Sequence, residues 1–147
     1  MPDAAPRYWT RAFLERLVVA LNDDLAFTEV VQALTDRVIL RCFDTPDGHD
    51  VEAAYVFEGG QVVDVEVWRE EAPCWEMRND PFDRDEALAR ATASYALWAK
   101  LDRGEKPFWQ ALISPDCTLE GPRRKRLTHL TLFKQINAVA ATVEKTY

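Results

Sequence analysis

Between Tyr8 and Asn22 the apolar residues return at four-residue steps: Trp9, Phe13, Leu17 and Leu21 share one side, while Arg11, Glu15 and Arg16 fall elsewhere. This spacing predicts a helix over 8–22 with a single buried stripe. Asn22, Asp23 and Asp24 then offer caps for a second, shorter helix that would bury Phe27, Val30, Val31 and Leu34. Beyond it the period changes from helical to two. Three strand-like runs follow, "RVILRCFD", "VEAAYVFE" and "QVVDVEVW". In the third, Val63, Val65 and Val67 alternate with Asp64 and Glu66, which predicts a valine inner face and a solvated outer one. The turn formers "DTPDGHD" and "EGG" separate the runs, so successive antiparallel hairpins are the economical topology.

Residues 69–86 interrupt the periodicity with Pro73, Pro81 and mostly polar side chains, and predict a long surface excursion in which Trp75 and Phe82 could anchor a lid. In "EALARATAS" the residues Ala87, Ala89, Ala91 and Ala93 share one parity, the pattern of a strand with a shallow inner face. Ser94 can cap a helix carrying Leu97, Trp98 and Leu101, and Gly104 is placed to end it. Pro107 suits the first turn of a further short helix with Phe108, Ala111 and Leu112 at helical spacing. "DCTLEG" alternates Cys117 and Leu119 against polar neighbours, as a last strand would. Leu127, Leu130, Phe133, Ile136, Val139, Ala140 and Val143 then mark a long terminal helix whose apolar stripe needs a cover.

Composition narrows the function classes. A chain of 147 residues with 48% hydrophobic and 29% charged side chains reads as one globular domain over 1–147. A formal charge of −7 disfavours nucleic acid, whose binding needs clustered basic residues facing phosphates. No signal-like start or long apolar run occurs, so a soluble, cytoplasmic protein is expected. Cys42, Cys74 and Cys117 have neither disulfide-framework nor zinc-site spacing and are expected to be reduced, with Cys42 and Cys117 packed as small hydrophobes.

Catalytic chemistry would need a nucleophile with a base, a metal shell or two contrasting carboxylates around one pocket. His49 sits in a turn, and His129 is expected to be a partly exposed helix residue. No glycine-rich phosphate loop is present, so neither catalytic residues, a cofactor nor a metal is expected. The basic run Arg123, Arg124, Lys125 and Arg126 opens the terminal helix, where the macrodipole favours anions. Its counter-charge could be a lipid headgroup, a fatty carboxylate, an anionic membrane surface met transiently, or the acidic residues of the protein itself.

The order of elements, the helix ending "LVVALNDDLAF", the hairpin "EGGQVVDVEVW" and above all "SYALWAKLDRGEKPFWQALISPDCTLEG" resemble the sterol carrier protein 2 family of lipid-binding domains. Trp98, Leu101, Gly104, Ala111, Leu119 and Gly121 occupy matching positions. The chain differs in following Gly121 with Pro122 and the basic run, in its longer 69–86 excursion, and in ending "EKTY" without a peroxisomal Ser-Lys-Leu. The resemblance implies an α+β fold: a five-stranded, largely antiparallel sheet with helices covering one face and an apolar tunnel between for sterols, fatty acids or acyl lipids. On that footing Leu40, Tyr55, Phe57, Val63, Val65 and Val67 are expected to line the sheet side of the tunnel, with Cys42, Ala89 and Ala91 beside them. Leu97, Trp98, Leu101, Phe108, Leu112, Leu119, Phe133 and Ile136 would complete its walls. Polar selectivity would fall to Arg41, Tyr55 or the basic turn. Two rival readings remain: an accessory domain whose groove accepts a protein partner, including a second copy, as in quinone or lipid metabolism, and a small α+β isomerase or hydrolase.

Overall fold

Thr10, not Tyr8, starts the first helix: its hydroxyl accepts the Phe13 N–H at 3.4 Å, and Trp9 before it takes a left-handed φ of 62°. Tyr8 and Trp9 are thereby turned inward, 5% and 4% exposed, instead of forming the helix's first turn. The computed structural model describes residues 4–122 and 126–147. Its elements are α1 (Arg11–Asp23), α2 (Leu25–Val30), β1 (Asp36–Phe43), β2 (His49–Glu58), β3 (Gln61–Glu71), α3 (Trp75–Arg78), β4 (Ala89–Ser94), α4 (Tyr95–Asp102), α5 (Phe108–Ala111), β5 (Cys117–Glu120) and α6 (Arg126–Thr142). Asp24 caps α2 by accepting the Phe27 N–H, and Ser94 caps α4 by accepting the Leu97 N–H, as their residue types predict.

The five strands form one sheet in the order β3-β2-β1-β4-β5. Every neighbouring pair is antiparallel except β1 and β4, which run parallel. A parallel pair needs a long connection, and here the β2–β3 hairpin and the 72–88 excursion supply it. Gly60 completes the β2–β3 turn at φ +82°, where a Cβ would lie 2.8 Å from the Val31 carbonyl and Gln32 Cα. The end of α2 is thus pressed against that turn.

A β-bulge corrects the expected face of β3. Tyr55 pairs with Val65 but Phe57 pairs with Val62, so Val63 and Asp64 share the span of one partner residue. Val62 and Val65 are therefore buried, at 4% and 8%, while Val63 is 53% exposed. Two further expectations also change. Helix α2 is only six residues long, with Phe27 buried and Val30 facing out. His129 is 2% exposed, and a Cβ on Gly121 would meet its Nδ1 at 2.8 Å, so the glycine closing β5 admits the buried ring.

The inner face of the sheet packs against α1, α2, α4 and α6 around Phe13, Leu21, Phe27, Tyr55, Phe57 and Phe133, each at most 1% exposed. The outer face is covered too. The excursion lies across it with Met77 fully buried. Arginines hold it down: Arg41 donates to the Met77 carbonyl at 2.7 Å, Arg90 donates to the Asp80 carbonyl, and Arg78 forks onto Asp50 at 2.8 and 2.9 Å. Asp50 is fully buried, and also accepts the Cys74 and Asp44 N–H groups. Burial pushes its carboxyl up, but these donors outweigh it and hold the group below the usual carboxylate range. Trp75 is 62% exposed, and Phe82 lies under the Arg90 guanidinium at 5.6 Å, so both belong to this outer layer.

Candidate functional site

Among the described residues, a small central hollow and a larger cleft border the layer between sheet and helices. The central one measures about 20 Å³ and is walled by Tyr8, Trp9, Leu40, Tyr55, Trp98 and Ile136 among others, with Asn137 and Ala140 from α6. That is room for about one water molecule and far less than the ~300 Å³ at which small-molecule pockets begin. The second is a cleft of about 290 Å³ between α2 and α6, lined by Val30, Val31, Ala33, Leu34, Leu88 and Leu132, with His129 and Thr128 on α6 and Thr35 and Asp36 opposite. Its floor residues Val31 and Leu132, at 3% and 4% exposure, belong to the hydrophobic core. Leu132, Ile136 and Ala140 follow at four-residue steps on α6, so cleft and hollow lie about 6–12 Å apart along one helix face.

Of the residues expected to line a tunnel, Leu40, Tyr55, Trp98 and Ile136 meet at the central hollow. Phe57, Val65, Leu97, Leu101 and Phe133 are buried core residues around it. Val67, Phe108 and Leu119 are half-buried against that core, Leu112 is half-buried on the short α5 side, and Val63 is excluded by the bulge. Side chains fill most of the space between the layers, so among the described residues no continuous tunnel runs through this conformation. Arg123, Arg124 and Lys125 lie outside the described residues; Arg126 opens α6, and its side chain is outside them as well. Arg41 points to the outer face, donating to Thr92 and the Met77 carbonyl, and cannot serve the inner layer.

The sequence reading missed how the chain ends contribute. Tyr8 and Trp9 form one wall of the hollow, with the Trp9 and Trp98 rings 5.6 Å apart. The Tyr8 hydroxyl donates to the Trp98 carbonyl, and Trp98 Nε1 donates to the Arg41 carbonyl at 2.9 Å. A C-terminal clasp closes over them: the Tyr8 N–H donates to the Thr146 carbonyl at 2.7 Å. Lys145 Nζ donates to both Asp102 carboxylate oxygens, at 2.8 and 3.0 Å, and to the Ala140 carbonyl. The Tyr147 hydroxyl also donates to Asp102, and burial together with that carboxylate pushes its pKa up to about 12. A buried ion pair of this kind holds position more than it adds stability.

Polar groups among the residues lining the hollow are few, and some are paired: the Tyr8 hydroxyl with the Trp98 carbonyl, Trp98 Nε1 with the Arg41 carbonyl, and Asn137 Nδ2 with the Leu101 carbonyl at 3.5 Å. Trp9 Nε1, Tyr55 Oη and Asn137 Oδ1 are buried with no hydrogen-bond partner. Burial, with the Asp102 carboxylate nearby, pushes the Tyr8 phenol well up, and Trp9 Nε1 beside its hydroxyl opposes the shift only in part, without reaching hydrogen-bond geometry. Burial pushes the Tyr55 phenol far up, so it stays protonated at any working pH.

The outer face has a larger cleft of about 550 Å³ under the excursion, where Ile39, Ala54, Pro81 and Phe82 share the walls with Glu52, Asp80, Asp83, Asp85, Glu86, Arg37 and Arg90. Arg90 is forked onto Glu120 and Arg37 is paired with Glu66. With five carboxylates and two guanidiniums on its walls, this cleft suits a polar guest better than a hydrocarbon. Among the described residues no helix is long and apolar enough to cross a membrane.

No family model matches the chain, and no curated protein matches it. Solved structures do. A crystal structure of sterol carrier protein 2 superposes with a TM-score of 0.70 at 17% identity, covering 93% of this chain and 99% of that one. A conserved hypothetical protein of Thermus thermophilus, described as possibly a sterol carrier protein, gives 0.68 at 17% identity, covering 98% and 94%. The apo form of sterol carrier protein 2 from Yarrowia lipolytica gives 0.53 at 12% identity, covering 89% and 90%. The chain has the sterol carrier protein 2 fold.

Proposed function

We propose that this protein binds and transfers a hydrophobic small molecule between its sheet and its helices, without catalysing a reaction on it. The observation that carries this reading is the cleft between α2 and α6, whose apolar floor is made of core residues, so that a ligand entering there meets the interlayer directly. The likeness of fold to sterol carrier protein 2 supports the same reading.

In this conformation the layers close around a 20 Å³ hollow, so filling it requires α6 to lean away from the sheet. The C-terminal end of α6 is tied by Lys145 to Asp102, which leaves the half beside the cleft as the part that opens. A ligand that binds only the open form shifts the population by its differential affinity. Sixteen methylenes would contribute about 13 kcal/mol at ~0.8 kcal/mol each. Association costs of at least ~4 kcal/mol, and the opening itself, leave micromolar affinity at best. That is a range suited to release as well as capture.

Native mass spectrometry of the delipidated protein titrated with long-chain lipids tests the proposal. One lipid per chain is expected, and Leu132→Trp, which fills the floor of the cleft, should abolish the complex. A protein that stays empty in lipid excess contradicts it.

A further inference from the structure

Three of the mostly apolar residues that line the central hollow each carry a buried polar atom without a partner, and the chemistry of the three is specific. Trp9 Nε1 is a donor, Tyr55 Oη is a donor or acceptor, and Asn137 Oδ1 is an acceptor. Tyr55 is 0% exposed and Trp9 4%, so neither finds solvent. Buried polar atoms without partners are rare and destabilising, and three on the wall of one hollow call for a shared guest. None of the residues lining the hollow is charged. Lys145, over the Tyr8 and Phe13 rings at 5.6 Å, has its donors committed to Asp102 and the Ala140 carbonyl.

We infer that Trp9, Tyr55 and Asn137 form the seat for the polar end of the ligand, and that this seat selects a single neutral hydroxyl on an apolar body over a carboxylate; the inference rests on the interlayer being the ligand site. A hydroxyl accepts from Trp9 and Tyr55 while donating to Asn137, which matches the three atoms in number and sense. A carboxylate would sit beside the Asn137 acceptor with no counter-charge, and burying it unpaired is strongly unfavourable. The apolar body then extends along the inner face of α6 from Ile136 toward Leu132, into the α2–α6 cleft.

The test compares dodecanol, dodecanoate and dodecane binding to the delipidated full chain by calorimetry at neutral pH. Dodecanol is expected to bind at least tenfold more tightly than dodecanoate. Tyr55→Phe and Asn137→Leu should each weaken dodecanol by roughly threefold to tenfold, the weight of one neutral hydrogen bond, and leave dodecane unchanged. Because the Tyr55 hydroxyl lacks a partner, Tyr55→Phe should melt no lower than the parent in the empty state. Equal or tighter dodecanoate binding overturns the assignment while leaving lipid binding intact. So does unaltered dodecanol affinity in Tyr55→Phe together with a lower melting temperature, the signature of a purely structural role. Failure of all three compounds to bind would instead remove the lipid reading beneath it.

Discussion

Replacing Ile136 with alanine enlarges the central hollow from the side that faces the cleft. Ile136 is 1% exposed and lines the hollow directly, one helical turn from Leu132 in the cleft floor. Truncating a buried isoleucine to alanine costs about 2–5 kcal/mol, through lost transfer energy plus the cavity left behind. Taking about 3 kcal/mol, the melting temperature should fall by roughly 6–12 °C at 2–4 °C per kcal/mol, within the margin of a domain stable by ~5–15 kcal/mol. The same truncation removes a group that ligand must displace in the parent protein. A long-chain alcohol at a hundred times its dissociation constant should therefore return about 2.7 kcal/mol, or roughly 5–11 °C, to Ile136→Ala. At the same ligand concentration the parent should gain less. Differential scanning calorimetry with and without the alcohol reads both numbers. If the variant melts lower but gains no more from ligand than the parent does, the hollow is not part of the ligand path.

Further outcomes follow from the same geometry. Val63→Lys should change stability by less than about 0.5 kcal/mol, whereas Val62→Lys at the neighbouring position should cost several kcal/mol by burying a charge; reversed ranking in urea denaturation would refute the bulge. Lys145→Met leaves the buried Asp102 carboxylate without its counter-charge, held only by the Tyr147 hydroxyl, at a cost of about 3–5 kcal/mol, and hydrogen exchange at Tyr8 should accelerate with it. Asp50 has a folded pKa held below its unfolded ~3.9, so its contribution is present above about pH 4 and is lost as pH falls through the lower folded value. Asp50→Asn should be less stable at pH 7 and flatten that acid limb of the stability curve; an unchanged acid limb would contradict the network.

The periodicities located all five strands and the main helices because each has one face against a common core, and burial on one face writes a period into the chain. Ser94 and Asp24 were legible as caps from residue type, and "EALARATAS" as a strand from the parity of its alanines, against alanine's helical preference. Val63 was not legible: a bulge inserts one residue without breaking the valine alternation, and the shift is fixed by pairing with Phe57 on another strand. Trp9 extended the helical stripe in sequence while its backbone adopts a left-handed turn, which is decided by the tertiary packing of Tyr8 and Thr146. The excursion gave no period because its anchors are isolated contacts, the buried Met77 side chain, the Arg78 fork onto Asp50 and the carbonyls held by Arg41 and Arg90, whose partners are distant in sequence. Tyr55 was visible as a polar group on an inner strand face, but its company with Trp9 and Asn137 arises only when three elements meet.

A crystal structure of the delipidated protein grown with a saturating long-chain alcohol addresses the central claim most directly. The account predicts one continuous chain of density between the inner face of α6 and the sheet, running from the α2–α6 cleft to Tyr55, with α6 displaced outward at its cleft end. A structure in which the layer stays packed around its 20 Å³ hollow, with alcohol absent or confined to the outer surface, would contradict it.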